Sequence, residues 1–180
     1  FVGENYNGTM LNCHFEGNVT ATDLGTSSQS GTTVGGFAGR TRGPVSYCSA
    51  KGTTIIGHAT IGGFAGNIAA SNAVEYCFAE YTNVEATVTD AYASFNGYAG
   101  GFASILGGTS DTNRAVIQNC YARVTGKLKA VNKVFGFGYS GSDATVIACY
   151  SFINEIDCTG PTKSDDMYNS TIRMTVSDCY

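Results

Sequence analysis

The sequence predicts an all-β protein, a right-handed parallel β-helix or β-solenoid of about five to six coils with internal ladders of phenylalanine and cysteine. Three observations lead there. A phrase recurs as Gly35-Gly36-Phe37-Ala38-Gly39, Gly62-Gly63-Phe64-Ala65-Gly66, Gly100-Gly101-Phe102-Ala103-Ser104 and Phe135-Gly136-Phe137-Gly138. A cysteine follows each copy after a polar gap, with a period of roughly 27 to 43 residues, the range of stacked repeat architectures. Composition is the third: 24 glycines, 2 prolines and 13% charged residues, with Thr, Ser, Asn, Tyr and Val prominent, suit strands and turns and disfavour long helices.

The glycines before each phenylalanine supply a corner, through positive φ or close backbone approach. From 1 to 13, 37 to 48, 64 to 77, 102 to 120 and 137 to 149, phenylalanine and cysteine lie 12, 11, 13, 18 and 12 residues apart. Met167 or Tyr168 stands in for the phenylalanine of a last copy. Three residues before each cysteine the chain is apolar, at Met10, Val45, Val74, Ile117, Val146 and Val176. Two residues after it stand Phe15, Ala50, Ala79, Ala122 and Ser151, which share the cysteine's face of a strand because side chains alternate. The residue between, His14, Ser49, Phe78, Tyr121, Tyr150 or Tyr180, then faces outward. A second short strand follows in Asn18-Val19-Thr20-Ala21 and in Val84-Glu85-Ala86-Thr87-Val88. Asn96-Gly97 is the one Asn-Gly near a strand, and it lacks the flanking alternation of a tight hairpin. Parallel stacking of like positions, about 4.8 Å apart, fits better than a meander. The longer gaps, residues 105–113 and 23–33, read as surface loops between coils.

Gly-Gly-Phe-Ala, followed by Ile117-Gln118-Asn119-Cys120-Tyr121-Ala122 and Val124-Thr125-Gly126, resembles the GLUG repeat. That repeat occurs in large bacterial surface and secreted proteins, among them adhesins and the non-catalytic regions of some IgA-cleaving metallopeptidases. The resemblance spans nearly the whole chain, is strongest at residues 99–126 and 34–53, and weakens after residue 150, where Cys158, Pro161 and Asp165-Asp166 break the pattern. It implies a cell-surface or secreted β-solenoid and supplies neither a ligand nor catalytic residues.

Seven cysteines in a secreted protein would ordinarily suggest disulfides. Cys13, Cys48, Cys77, Cys120, Cys149 and Cys179 all hold one repeat position, so they read as buried free thiols in a ladder, where parallel Cβ vectors would strain a bridge. Phe37, Phe64, Phe102 and Phe137 read as the companion ladder. Cys158 is out of phase and is left for a bridge to Cys149 or Cys179. No Cys-x2-Cys or His-Glu-x-x-His spacing supports a metal, and no cofactor is expected. Gly136 to Gly141 matches G-x-G-x-x-G but leads into another β segment rather than a helix, so it reads as coincidence. Neither histidine, His14 or His58, sits in a catalytic phrase. Asp165 and Asp166 would face opposite ways, and Glu75, Glu80 and Glu85 read as solvated carboxylates.

A net charge of −4 gives no electrostatic case for nucleic acid, and no apolar run nears the roughly 18 residues of a membrane helix. The expectation is a single domain, residues 1–180, acting as a non-enzymatic structural or adhesive module of a bacterial extracellular or cell-surface protein. An aromatic stripe of Phe78, Tyr121, Tyr150 and Tyr180 is its expected contact surface, for glycan or host protein. The alternatives are a polysaccharide-active enzyme on the same scaffold and a self-assembling filament subunit. Ends that fall inside the repeat predict a fragment of a longer chain, with adjacent domains or like subunits end to end. Asn7, Asn18 and Asn169 fit the glycan-acceptor pattern, coincidental in a bacterial protein.

Overall fold

The computed structural model describes residues 2–22, 32–69, 73–87, 97–107, 114–140, 144–159, 168–170 and 174–180. Among these residues the regular structure is β-strand, gathered into four parallel sheets, here A to D. One winding runs Thr33–Gly35 in sheet D, Ala38–Thr41 in A, Val45–Ser46 in B and Ser49–Gly57 in C. The next repeats it with Thr60–Gly62, Ala65–Ile68, Ala73–Glu75 and Phe78–Ala86, each strand lying parallel on its predecessor. Among the described residues, sheets A, B and C each hold six strands and sheet D four. The second strand expected after the cysteine is separate only near the start, at Val19–Thr20; from residue 49 onward it is continuous with the first. Phe1, Val88, Asn96 and most of the 105–113 and 23–33 loops lie outside the described residues.

Register follows the repeat. Met10, Val45, Val74, Ile117 and Val146 pair in sequence across sheet B, and the last four are fully buried. The rings of Phe37, Phe64, Phe102 and Phe137 are also fully buried and stack at 4.8, 4.9 and 4.8 Å between centroids. Parallel strands impose that spacing, so a phenylalanine at one repeat position has its neighbours' rings above and below it.

The glycine pairs work by close approach. A Cβ at Gly35 would fall 2.5 Å from Ala65 Cα, and one at Gly36 would fall 2.5 Å from the Gly63 carbonyl oxygen. Neither glycine has a positive φ; among the described residues the positive-φ glycines are Gly17, Gly97 and Gly107. Of the two roles open to these glycines in the sequence, the structure selects the steric one. The fourth copy departs from the others. Phe135 takes the first glycine's place, Gly138 takes Ala103's place, and the register skips a residue between Ala103 and Ile105. Phe135 is fully buried and stacks on Tyr139 at 5.1 Å.

Left-handed backbone occurs instead at the corner between sheets B and C. The residue before each cysteine, Asn12, Tyr47, Tyr76, Asn119, Ala148 or Asp178, has φ between 49° and 55°. The turn reverses the direction of the inter-coil hydrogen bonds. Before it, Tyr76 N–H donates forward to the Gln118 carbonyl (3.1 Å); after it, Phe78 N–H donates backward to the Cys48 carbonyl (3.1 Å). The cysteine N–H falls at the reversal and finds sulfur: Cys48 donates to Cys77 Sγ, Cys77 to Cys120 Sγ and Cys120 to Cys149 Sγ, each at 3.4 Å. Each of these thiols donates in turn to the carbonyl two residues earlier, at 3.1 to 3.2 Å. The cysteines therefore do more than fill the core, because they complete the corner's hydrogen bonding.

Candidate functional site

All seven cysteines are free. Cys158 is buried and donates to the Asn132 carbonyl at 3.5 Å, with no bridge to Cys149 or Cys179. Burial, then its bonds to Cys149 and Cys77, raise the Cys120 thiol well above its ordinary pKa. The bond from Cys120 favours a thiolate at Cys77 and Cys149. Each thiol nevertheless donates to a carbonyl oxygen that would repel a thiolate, so the column keeps its protons. Sealed neutral thiols are a poor start for nucleophilic chemistry.

The outer face of sheet C holds the expected stripe. Phe78 pairs with Tyr121 and Tyr121 with Tyr150. Their rings lie 4.9 and 5.1 Å apart and within 6° of parallel. Tyr180 occupies the equivalent backbone place, since its N–H donates to the Cys149 carbonyl, and its side chain is 86% exposed. At the other end His14 and Ser49 continue the column, joined by a 2.8 Å hydrogen bond between Nδ1 and Oγ. A serine beside a histidine is the start of a nucleophile, but Ser49 is only 3% exposed and substrate cannot reach it.

Stacking changes what the stripe can do. A ring binds a sugar or a side chain through its face, and here the faces are turned toward one another. Tyr121 lies between Phe78 and Tyr150, and the outer face of Phe78 carries the Lys51 ammonium at 4.9 Å. Phe78 and Tyr121 present ring edges rather than open platforms, while Tyr150 and Tyr180 stay exposed at the stripe's other end. A second exposed pair, Tyr47 and Tyr76, stacks at 4.9 Å on the left-handed corner. Those tyrosines precede the cysteine, outside the alternation that marks the sheet C stripe.

Beside the aromatic column runs a row of charges, three residues after each cysteine. Glu16 pairs with Lys51, Lys51 with Glu80, Glu80 with Arg123 and Arg123 with Phe152. Glu80 is held from two sides, by Lys51 Nζ at 3.0 Å and by the Tyr121 hydroxyl at 2.9 Å. Burial works against its charge, but the Lys51 and Tyr121 hydrogen bonds outweigh it and lower its pKa. Tyr121 is raised, by burial and then by its bond to Glu80. Arg123 is exposed and forms no ion pair among the described residues. Exposed threonines, Thr53, Thr82 and Thr125, flank this row, and together they border an open trough of about 350 Å³.

Of the other carboxylates, Glu85 pairs with Lys129 at 2.6 Å on sheet C, while Glu75 accepts a 2.7 Å hydrogen bond from Gln118 on sheet B. The three glutamates therefore do not converge. Asn18 Oδ1 accepts the N–H groups of Thr53 and Thr54, at 2.9 and 3.0 Å, which gives it a structural role. Gly136 sits at a corner and leads into strand Gly138–Ser140, not a helix. Asp165, Asp166 and Met167, with the side chains of Tyr168 and Asn169, lie outside the described residues. Among the described residues no group of three His, Cys, Asp or Glu could hold a metal, and no helix is long and apolar enough to cross a membrane.

The trough's chemistry can be tested against hydrolysis. Glu16 and Glu80 flank Lys51, so their backbones stand two inter-strand steps apart, roughly 9.6 Å. That is close to the spacing of an inverting carboxylate pair, but the reaction needs one carboxyl kept protonated near neutral pH. Glu80 is held toward its ionised form, which suits the base of such a pair and not its acid. Comparison of the chain with family models, with curated proteins and with solved structures finds no match.

Proposed function

We propose that the chain is a rigid, non-enzymatic module of an extracellular or cell-surface protein of the GLUG-repeat kind. In this reading it is a right-handed solenoid of about five to six coils, built on its phenylalanine and cysteine ladders. It serves as a spacer and holds out sheet C as a contact face. Its neighbours along the axis are adjacent domains of the parent chain or like subunits end to end. The observation that carries the reading is the parallel pairing of equivalent repeat positions from winding to winding, kept through local register shifts after Tyr81, Ala103 and Val124. Such a body resists bending, because bending would part stacked rings and inter-coil hydrogen bonds together.

Small-angle scattering with assays for polysaccharide cleavage tests the reading. The expected result is a rigid particle about as long as it is wide, since six strands abreast span roughly 24 Å, which releases no reducing ends from any polysaccharide offered. A bending or expanded particle, or cleavage abolished by Glu80→Gln, would sink it.

A further inference from the structure

We infer that the sheet C trough binds an uncharged, extended saccharide chain lying along the stacking direction, an inference that rests on sheet C being the contact face. The first argument is charge. The row holds two carboxylates, Glu16 and Glu80, and two cations, Lys51 and Arg123, in alternation, so it offers no net field to a polyanion or a polycation. It offers donors and acceptors in turn along a line. A hydroxyl group both donates and accepts, so a polyhydroxylated chain can satisfy every station without bringing charge of its own.

The second argument is period. Stations along the row repeat at the inter-strand step of about 4.8 Å, close to the length of one pyranose unit. An extended peptide presents side chains to one face every second residue, about 6.7 Å apart, and falls out of step after one or two stations. Four strands abreast give the row a length of roughly 14 Å, room for about three sugar units. The trough's volume of about 350 Å³ suits such a segment seated with one side open.

The third argument is preorganisation. Lys51 is fixed over the Phe78 ring and against Glu80, and Glu80 is fixed by Tyr121, so binding need not order them. Each Glu80 oxygen keeps a second lone pair, and Lys51 keeps donors beyond the one it gives to Glu80. Arg123 brings five donors with no ion pair to break. None of the stripe's rings lines the trough, so hydrogen bonding rather than stacking selects the ligand there.

The test titrates the ¹⁵N-labelled chain with neutral tetrasaccharides of glucose, mannose, galactose and N-acetylglucosamine. Tetragalacturonate and an eight-residue Ser/Thr peptide serve as comparators. The expected result is millimolar binding of at least one neutral tetrasaccharide, with amide shifts confined to the strands around Gly52, Thr82 and Arg123. Arg123→Met should weaken that binding about tenfold, and Arg123→Lys should lose less, with thermal unfolding unchanged in both. No shift with any neutral tetrasaccharide up to tens of millimolar overturns the inference. So do tighter binding of either comparator and shifts that Arg123→Met leaves intact. None of these outcomes changes the particle's stiffness in scattering, so the saccharide can fail while the scaffold reading stands.

Discussion

At the residue scale the corner before each cysteine explains the most. Three of its six left-handed positions, Asn12, Asn119 and Asp178, carry residue types that tolerate this conformation. Ala148 does not, at φ 49°. Ala148→Asn is therefore expected to stabilise the fold by about 1 kcal/mol, read as a raised urea midpoint at constant m. The adjoining thiol is the second test. Cys77→Ala leaves the buried Cys48 N–H without its acceptor and should destabilise by about 1–3 kcal/mol. Cys77→Ser restores both a donor and an acceptor and should cost less, whereas equal stability of all three proteins would reduce the column to filler. The cysteines' place was legible because the offset repeats. Their bonding was not, since it depends on a hydrogen-bond reversal set by backbone φ. The asparagines and aspartate before three of the cysteines were the available signal.

At the scale of the element, sheet C shows what register adds to sequence. Alternation alone placed Phe78, Tyr121 and Tyr150 on one face, and the structure brings them together. Closure of the ring faces between them follows from near-parallel stacking, which no single segment reveals. The row Glu16, Lys51, Glu80 and Arg123 was missed although each stands three residues after its cysteine; residues this far apart become neighbours only once the coils are in register. The row also sets an acid dependence. The folded-state pKa of Glu80 lies below its ordinary value, so its contribution is complete above about pH 4.3 and is lost as pH falls through the lower folded value. Glu80→Gln should flatten the fall of the melting temperature across that acid window. An unchanged slope would mean that its bonds to Lys51 and Tyr121 are not formed in solution. Inside, Phe102 has a ring on either face, so Phe102→Ala is expected to cost about 3–5 kcal/mol in denaturant unfolding.

At the scale of the whole molecule the parallel all-β architecture was legible because one phrase recurs in phase, and each copy constrains the others. The fourth copy shows the limit of that logic. Phe135 stands where the other copies have glycine and stacks on Tyr139, while Gly138 leaves room for the Ala103 carbonyl and Leu106, a departure visible only where the strands meet. Burial also grades the column along its length: Cys48, Cys77, Cys120 and Cys149 are at most 1% exposed, while Cys13 and Cys179 are partly exposed. A thiol reagent applied to the native chain should label Cys13 and Cys179 well before the four between them, as peptide mass mapping would read. The central claim is that equivalent positions of successive repeats lie side by side in parallel. Inter-strand Hα–HN contacts in solution NMR test it most directly. The account predicts contacts that run from Cys48 to the strand of Cys77, then to those of Cys120 and Cys149. Close Hα–Hα pairs between neighbouring strands within one repeat, the mark of an antiparallel meander, would contradict it.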